Sequence, residues 1–289
     1  MGIQSEGCPL NKRCSLLSWL AGWKYWLLMG VLALPFIFPI LWLVLSAFKP
    51  VAQIYSDTLK WLPAPMTIEN FQKAWDLLHL PRLFTNTIFI TAASVTGSAL
   101  SSSMVGFAFG TLPARGKDFL FFLLMVTIMI PASVTLIPTF ILFSKLGWVD
   151  TYLPLIIPQF CANAFYVFLF RQFFSSVPVE LFESAELDGC NPLGTYWYIA
   201  IPVSRPILTV VAVFAAIASW HDFLNPLVYL NSANHYTLSL GLAAFQGFYY
   251  TQIHYLLPAA LLTLLPLMVF FYFTQDAFIR GIISTQLLS

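Results

Sequence analysis

Six apolar runs, each long enough to cross a lipid bilayer, constrain this chain more than any other feature. A spanning helix needs about 20 mostly apolar residues, and its backbone groups must bond within the segment itself. Only 9% of the 289 residues are charged, whereas a soluble domain carries about 25%. The sequence therefore predicts an all-α, polytopic membrane protein with six transmembrane helices. The predicted spans are residues 25–48, 84–112, 119–143, 153–170, 207–230 and 256–277.

The spans divide the chain into one membrane domain with short tails. Residues 1–24 form the predicted N-tail and residues 278–289 the C-tail. An outer loop covers residues 49–83 and is followed by a core of five spans over residues 84–277. Within that core, a polar loop at residues 173–206 separates the fourth span from the fifth.

The distribution of lysine and arginine orients these spans. Basic residues accumulate in the cytoplasmic segments of membrane proteins. Of the 13 basic residues, eight share a side with the two termini and the remaining five lie on the other side. The sequence therefore predicts cytoplasmic termini and a cytoplasmic polar loop. The eight residues are Lys12, Arg13, Lys24, Arg115, Lys117, Arg171, Arg205 and Arg280.

The motifs of enzymes and metal proteins are missing from the sequence. Gly110–Lys117 resembles a phosphate-binding loop, but five residues rather than four separate its glycines, and Asp118 replaces the expected Ser or Thr. The histidines lack zinc-site spacing, and no serine lies in a nucleophile elbow. The net charge of +1 gives no indication of nucleic-acid binding. We expect a non-enzyme without a bound metal or cofactor of its own.

The polar loop carries the signals of a helical hairpin. Asp188 and Gly189 end its first helix, because glycine tolerates the left-handed cap. Asn191 and Pro192 begin its second helix as N-cap and first helical residue. The pattern predicts a hairpin that can contact a soluble partner, although acidic faces on solvated helices are also ordinary. Three glutamates recur at every third position and share one face of the first helix: Glu180, Glu183 and Glu186.

Polar residues within the predicted spans are costly and usually functional. Asp222 and Asn225 lie three residues apart in the fifth span, close to Trp220, and Asn163 lies in the fourth. One interpretation is a hydrophilic wall of a solute pathway, with the Trp220 ring offered to a sugar. The other is a satisfied polar cluster that fixes helix packing. The sequence leaves both open.

Gly106 and Gly110 lie four residues apart in the second span. This spacing allows another helix to approach closely. That helix could belong to the same chain or to a partner membrane subunit.

The polar loop resembles the EAA loop of bacterial ABC-importer permeases. Ser184 replaces the middle alanine of that pattern, and both residues are small. Other segments resemble the shorter permease subunit of the maltose-type, carbohydrate branch, so that the resemblance covers almost the whole chain. The loop residues that carry it are Glu183, Ser184, Ala185, Asp188, Gly189, Ile199 and Pro202. The other similar segments are residues 46–50, 86–87, 130–158 and 220–227.

The resemblance implies a type I ABC importer permease in a bacterial inner membrane. Its expected partners are a second, different permease chain, two ATPase subunits that hold ATP and magnesium, and an extracytoplasmic solute-binding protein. The solute would be a sugar or a sugar-like compound. The loop would be a coupling helix in a cleft of the ATPase, where Glu183 meets a basic residue or backbone donor, Ala185 allows close approach, and Gly189 turns the chain. The implied coupling residues are Glu180, Glu183, Ala185, Asp188 and Gly189.

An ion-coupled secondary transporter is the alternative function. Such a protein would carry buried carboxylates in several spans and a repeated half. Asp222 is the one serious carboxylate candidate within the predicted spans, and the sequence shows no repeat. The importer permease is therefore the preferred hypothesis.

Overall fold

The computed structural model describes the backbone of residues 11–243, 245 and 252–287 and the side chains of residues 25–243, 245 and 252–275. Residues 1–10 of the predicted N-tail and residues 288–289 of the C-tail lie outside this range. The described backbone is helical with no strand. The first eight helices are α1 Asn11–Ala47, α2 Val51–Ile54, α3 Glu69–Leu77, α4 Leu80–Thr111, α5 Lys117–Ile128, α6 Ala132–Lys145, α7 Leu153–Ile156 and α8 Ala164–Ser176. The next seven are α9 Val179–Leu187, α10 Pro192–Thr195, α11 Ile201–Val203, α12 Arg205–Trp220, α13 Leu224–Tyr229, α14 Leu238–Ala243 and α15 Ile253–Leu287.

The helices confirm an all-α membrane protein. Four stretches of the described chain are long and apolar enough to cross a membrane, and two bent helix pairs bring the total to six when each pair counts as one span. The four stretches are Tyr25–Ala47, Leu80–Thr111, Leu153–Ser176 and Ile253–Gln275. The two pairs are Lys117–Ile128 with Ala132–Lys145, and Pro192–Val203 with Arg205–Trp220.

Pro131 produces the bend in the third span. The axes of α5 and α6 differ by 97°, and Pro131 is the extended N-cap residue of α6. A proline disfavours the helical conformation of the residue before it, so α5 ends before Ile130. Pro138 lies inside α6 without ending it.

The prediction of one continuous helix over residues 207–230 is wrong. Helix α12 ends at Trp220, and the separate α13 begins at Leu224. Between them, the side chain of Asp222 accepts a hydrogen bond from the backbone N–H of Asn225 at 3.2 Å. Asp222 and Asn225 therefore flank a helix break instead of sharing one face of a span.

The fourth span is interrupted as well. A 3₁₀ segment, Ile157–Cys161, follows α7, and Ala162 has a φ of 58°. Asn163 then caps α8, accepting hydrogen bonds at its side-chain oxygen from the N–H groups of Phe165 and Tyr166. A short polar side chain favours a cap over a helix interior, which explains why Asn163 lies at a break.

Helix α4 forms the centre of the bundle, between α8 and α12. A Cβ atom on Gly106 would lie 2.4 Å from Cβ of Phe170, and one on Gly110 would lie 2.8 Å from Cβ of Phe174. Both contacts are made with α8 of the same chain. The glycine pair therefore serves packing within the chain, as one of the two interpretations expected.

Candidate coupling surface and central polar cavity

The hairpin between α8 and α12 ends its first helix as the sequence predicts. Asp188 is the C-cap of α9, and Gly189 has a φ of +84°. The Gly189 N–H donates to the Glu186 carbonyl at 3.0 Å, and the Cys190 N–H donates to the Ala185 carbonyl at 2.9 Å. These bonds satisfy two of the carbonyls that the last turn of a helix leaves unpaired.

The second half of the hairpin begins at Asn191. Its side-chain oxygen accepts from the Gly194 N–H at 2.7 Å, and Pro192 is the first residue of α10. A π-helical turn, Tyr196–Ala200, follows. Such turns are rare and often occur at functional sites.

The two sides of α9 differ sharply in their exposure to solvent. Glu180, Glu183 and Glu186 are all exposed, whereas Ala185 is only 3% exposed. Ala185 therefore lies on the side of α9 that packs against its own chain. Its small size permits close approach there, and not to the ATPase as the resemblance implied. Leu187, at the end of α9, is 89% exposed, so an apolar side chain accompanies the acidic ones on the open surface.

Aromatic rings attach the hairpin to the bundle. The ring of Phe107 on α4 lies 5.7 Å from that of Phe182 on α9, 5.7 Å from that of Tyr196, and 5.5 Å from that of Phe174 on α8. Aromatic rings whose centroids lie about 4.5–7 Å apart attract each other, and this attraction adds to the stabilisation gained by burying them. Phe107 thus connects both halves of the hairpin to the α4–α8 pair.

A second site, the central polar cavity, lies between α4, α8, α12 and α13. Its volume is about 310 Å³. Three of the four residues predicted for a solute pathway line it: Asn163, Asp222 and Asn225. Five further polar residues line it that the sequence did not single out: Ser94, Gln159, Tyr166, Ser219 and Thr237. Such residues are common in membrane helices, so composition alone gave no signal.

Trp220 does not belong to this cavity. Its indole N–H donates to the carbonyl oxygen of Thr263 on α15 at 3.2 Å. Its ring lines a separate apolar cleft of about 400 Å³ beside Pro266 and Phe270. The structure therefore separates Trp220 from the other three predicted pathway residues.

The polar side chains at the two helix breaks also have structural partners. Asp222 accepts from the backbone N–H of Asn225 and from its side-chain amide at 2.9 Å. At the other break, Ser101 accepts from the Ala162 N–H at 3.2 Å and Ser102 from the Asn163 N–H at 3.1 Å. Both interpretations made from sequence thus have a structural basis, since these residues stabilise the breaks and also line a cavity.

Asp150 joins two loops at the other end of α4. Its carboxylate accepts from the N–H groups of Asn231 and Ser232 at 2.9 and 2.8 Å, and also from the Ser232 hydroxyl. The Ser232 hydroxyl and then these N–H groups hold the pKa of Asp150 well below its usual value. Nδ1 of His235 lies 3.2 Å from the same carboxylate. Within the described side chains, no group of three His, Cys, Asp or Glu could hold a metal ion.

A bent-helix bundle with a capped hairpin at one end and a polar cavity inside defines a multi-pass helical membrane protein. The chain belongs to the family described as binding-protein-dependent transport system inner membrane component, whose family model matches residues 102–284. The EAA-loop resemblance to ABC-importer permeases is thereby confirmed at the level of the family.

Individual relatives extend the similarity over nearly the whole chain. The arabinooligosaccharides transport system permease protein AraQ of Halalkalibacterium halodurans is 35% identical over 277 residues, covering 94% of this chain and 97% of that protein. The sn-glycerol-3-phosphate transport system permease protein UgpE of Brucella abortus is 29% identical, covering 90% and 94%. A chain of a bacterial ABC transporter involved in the import of the acidic polysaccharide alginate has a similar fold, with a TM-score of 0.77, 22% identity and coverage of 94% and 99%.

Proposed function

We propose that this chain is one of two permease subunits of an ATP-driven, binding-protein-dependent importer of a sugar or sugar-like solute. Its family supports the transport role, and the names of relatives such as the arabinooligosaccharide permease support the solute class. The partners would be a second, different permease chain, two ATPase subunits and an extracytoplasmic solute-binding protein. ATP and magnesium would be held by the ATPase subunits.

The single observation that carries the proposal is the exposed acidic hairpin fixed to the bundle. Helix α9 exposes Glu180, Glu183 and Leu187, while its buried side packs through Ala185 and Phe182. A charged rim around an apolar residue suits a protein partner. Glu183 would meet a basic residue or a backbone donor of the ATPase, and Asp188 and Gly189 would hold the turn in shape.

The hairpin would lie on the cytoplasmic side of the inner membrane, together with both termini. Four basic residues belong to this end of the bundle and agree with the positive-inside rule. They are Arg115, Lys117, Arg171 and Arg205.

Transmission requires no covalent chemistry in this chain. Closure of the ATPase dimer would displace α9, and the Phe182–Phe107 contact would pass the movement to α4. Helix α4 also lines the central polar cavity through Ile90 and Ser94. Because α4 packs closely on α8, the two helices would move as one body. Packed interfaces switch between discrete arrangements, so this movement would take the subunit from one conformation to another. The cavity would then face alternately outward and inward.

Reconstitution of the assembled importer tests this function. We expect ATP hydrolysis that rises when loaded binding protein is added, and uptake into vesicles that requires ATP. Glu183→Lys should lower copurification of the ATPase subunits at least tenfold, because it reverses a charge at the contact. Asp57→Lys, a charge reversal in the exposed outer loop, is the matched control.

Two results would contradict the proposal. One is a Glu183→Lys importer that assembles and transports like the wild type. The other is uptake that survives ATP depletion and collapses with an ion gradient, which would support a secondary transporter with Asp222 as its carboxylate.

A further inference from the structure

We propose that the central polar cavity is a solute site within this subunit that accepts neutral, hydroxyl-rich solutes and disfavours anionic ones such as phosphate esters. The inference rests on the proposed transport function and adds the charge class of the solute.

Two helix breaks lie beside the same cavity, and the second of them directly follows the candidate span that ends at Trp220. Non-helical backbone at membrane depth persists only where it is buried in protein or lines a cavity. Ala162, with its positive φ, and the 221–223 segment both occur next to cavity-lining residues, namely Asn163 and Asp222. Helix α4 stabilises the first break, because the hydroxyl oxygens of Ser101 and Ser102 accept hydrogen bonds from the backbone N–H groups that the break leaves unpaired. Such paired breaks commonly form binding sites in transporters.

The cavity offers hydrogen-bonding groups that the chain does not use. Gln159 accepts a hydrogen bond from Ser98 at its side-chain oxygen, and Asn163 caps α8 with its oxygen. Within the described part of the chain, the Nδ2 or Nε2 amides of both residues and the hydroxyl of Tyr166 have no hydrogen-bond partner. The side-chain oxygen of Asn225 also accepts none there. Mixed donors and acceptors suit hydroxyl groups, which both donate and accept.

Asp222 gives the lining its charge. Among the described residues that line the cavity, it is the one charged side chain, and none is Lys, Arg or His. Its carboxylate receives two hydrogen bonds from Asn225 and retains further acceptor sites for solute hydroxyls. A phosphate would face a like charge without a compensating cation among the described residues that line the cavity. Repulsion of this kind confers specificity against anions.

The names of the two relatives described above include one neutral and one anionic solute. One is named for arabinooligosaccharides, which are neutral, and the other for sn-glycerol 3-phosphate, which is anionic. The lining of this cavity favours the neutral class.

Binding to the complete importer in lipid nanodiscs, without binding protein, tests the inference. Arabinotriose and sn-glycerol 3-phosphate are titrated by saturation-transfer difference NMR, which detects weak binding. We expect saturable arabinotriose binding and at least tenfold weaker binding of the phosphate ester. Asp222→Asn retains a side-chain oxygen that can accept from the Asn225 N–H but removes the charge. The discrimination, which is the ratio of arabinotriose affinity to phosphate-ester affinity, should therefore fall at least fivefold. Asp57→Asn, in the exposed outer loop, should leave it unchanged.

The inference is overturned if the wild type binds neither probe, if it prefers the phosphate ester, or if Asp222→Asn leaves the discrimination unchanged. Copurification of the ATPase subunits is measured on the same samples. Loss of that association in the wild type would contradict the proposed function, whereas unaltered discrimination in an importer that retains its ATPase would contradict only the solute site.

Discussion

The hydroxyl of Tyr196 lies 2.7 Å from Oγ of Ser103, although 93 residues separate them in the chain. Tyr196 is 1% exposed and Ser103 is fully buried. Tyr196 begins the π-helical turn of the hairpin, and Ser103 belongs to α4. This bond therefore fastens the second half of the hairpin to the central helix, beside the ring contacts of Phe107.

Tyr196→Phe should lower the free energy of unfolding by about 1 kcal/mol, the net value of a typical buried hydrogen bond. Ser103 also donates to the Leu100 carbonyl, so it retains one partner and the loss stays modest. The measurement is the thermal unfolding midpoint of the purified subunit in detergent. Tyr198→Phe removes the same hydroxyl from a side chain that is 80% exposed and should not shift the midpoint. Equal shifts in both variants would contradict a special role for the Tyr196–Ser103 bond.

Gly106→Ala should destabilise the α4–α8 contact by about 1–3 kcal/mol, as overpacking of a tight interface does. The added Cβ would lie 2.4 Å from Cβ of Phe170 and 3.1 Å from the backbone nitrogen of Arg171. Backbone atoms cannot rotate out of the way. We expect a lower yield of monodisperse protein by size-exclusion chromatography. Gly30→Ala is the control because a Cβ there has no neighbour within 4 Å; a normal yield for Gly106→Ala would refute the close packing.

Gly189→Val should impair the hairpin through backbone strain alone. Its φ is +84°, and a Cβ there would meet no atom within 4 Å, so crowding is not the cause. Branched side chains resist positive φ, whereas asparagine tolerates it. Gly189→Asn should therefore retain most of the ATPase stimulated by binding protein, and Gly189→Val should lose most of it. Similar activity in the two variants would argue against the cap geometry.

Asp150→Asn should lower the thermal unfolding midpoint at neutral pH by weakening the bonds to Asn231 and Ser232. Because the folded pKa of Asp150 is depressed, the ionised form favours the folded state. This stabilisation is complete above the usual pKa of 3.8 and is lost only as the pH falls through the lower folded pKa. Asp150 therefore stays ionised throughout this range, and the difference between wild type and variant should not shrink from pH 7 to pH 5. A difference that disappears within that interval would contradict the depressed pKa, because the folded-state carboxylate would then have to titrate above its usual range.

Local chemistry made the hairpin predictable. A glycine that must adopt positive φ, an asparagine that can cap and a proline at the first helical position each act within a few residues. Gly189, Asn191 and Pro192 accordingly lie where the sequence places them. The apolar stretches were also predictable, because their length and composition are properties of the sequence itself; in the described chain four are single candidate spans and two are bent helix pairs.

The helix breaks could not be predicted in the same way. A polar residue within an apolar run can face a neighbour inside a continuous helix or cap a new one, and the choice depends on distant partners. At Asn163 the choice depends on Ser101 and Ser102 of another helix. Trp220 was misplaced for a similar reason, since its indole partner, Thr263, belongs to α15.

Photocrosslinking from position 183 tests directly whether the exposed face of α9 contacts the ATPase. A benzophenone amino acid replaces Glu183 in the complete importer, and position 57 in the outer loop carries it as the control. We expect an adduct between this chain and an ATPase subunit from position 183 and none from position 57. Copurification of the ATPase with no adduct from position 183, or with equal adducts from both positions, would contradict this contact.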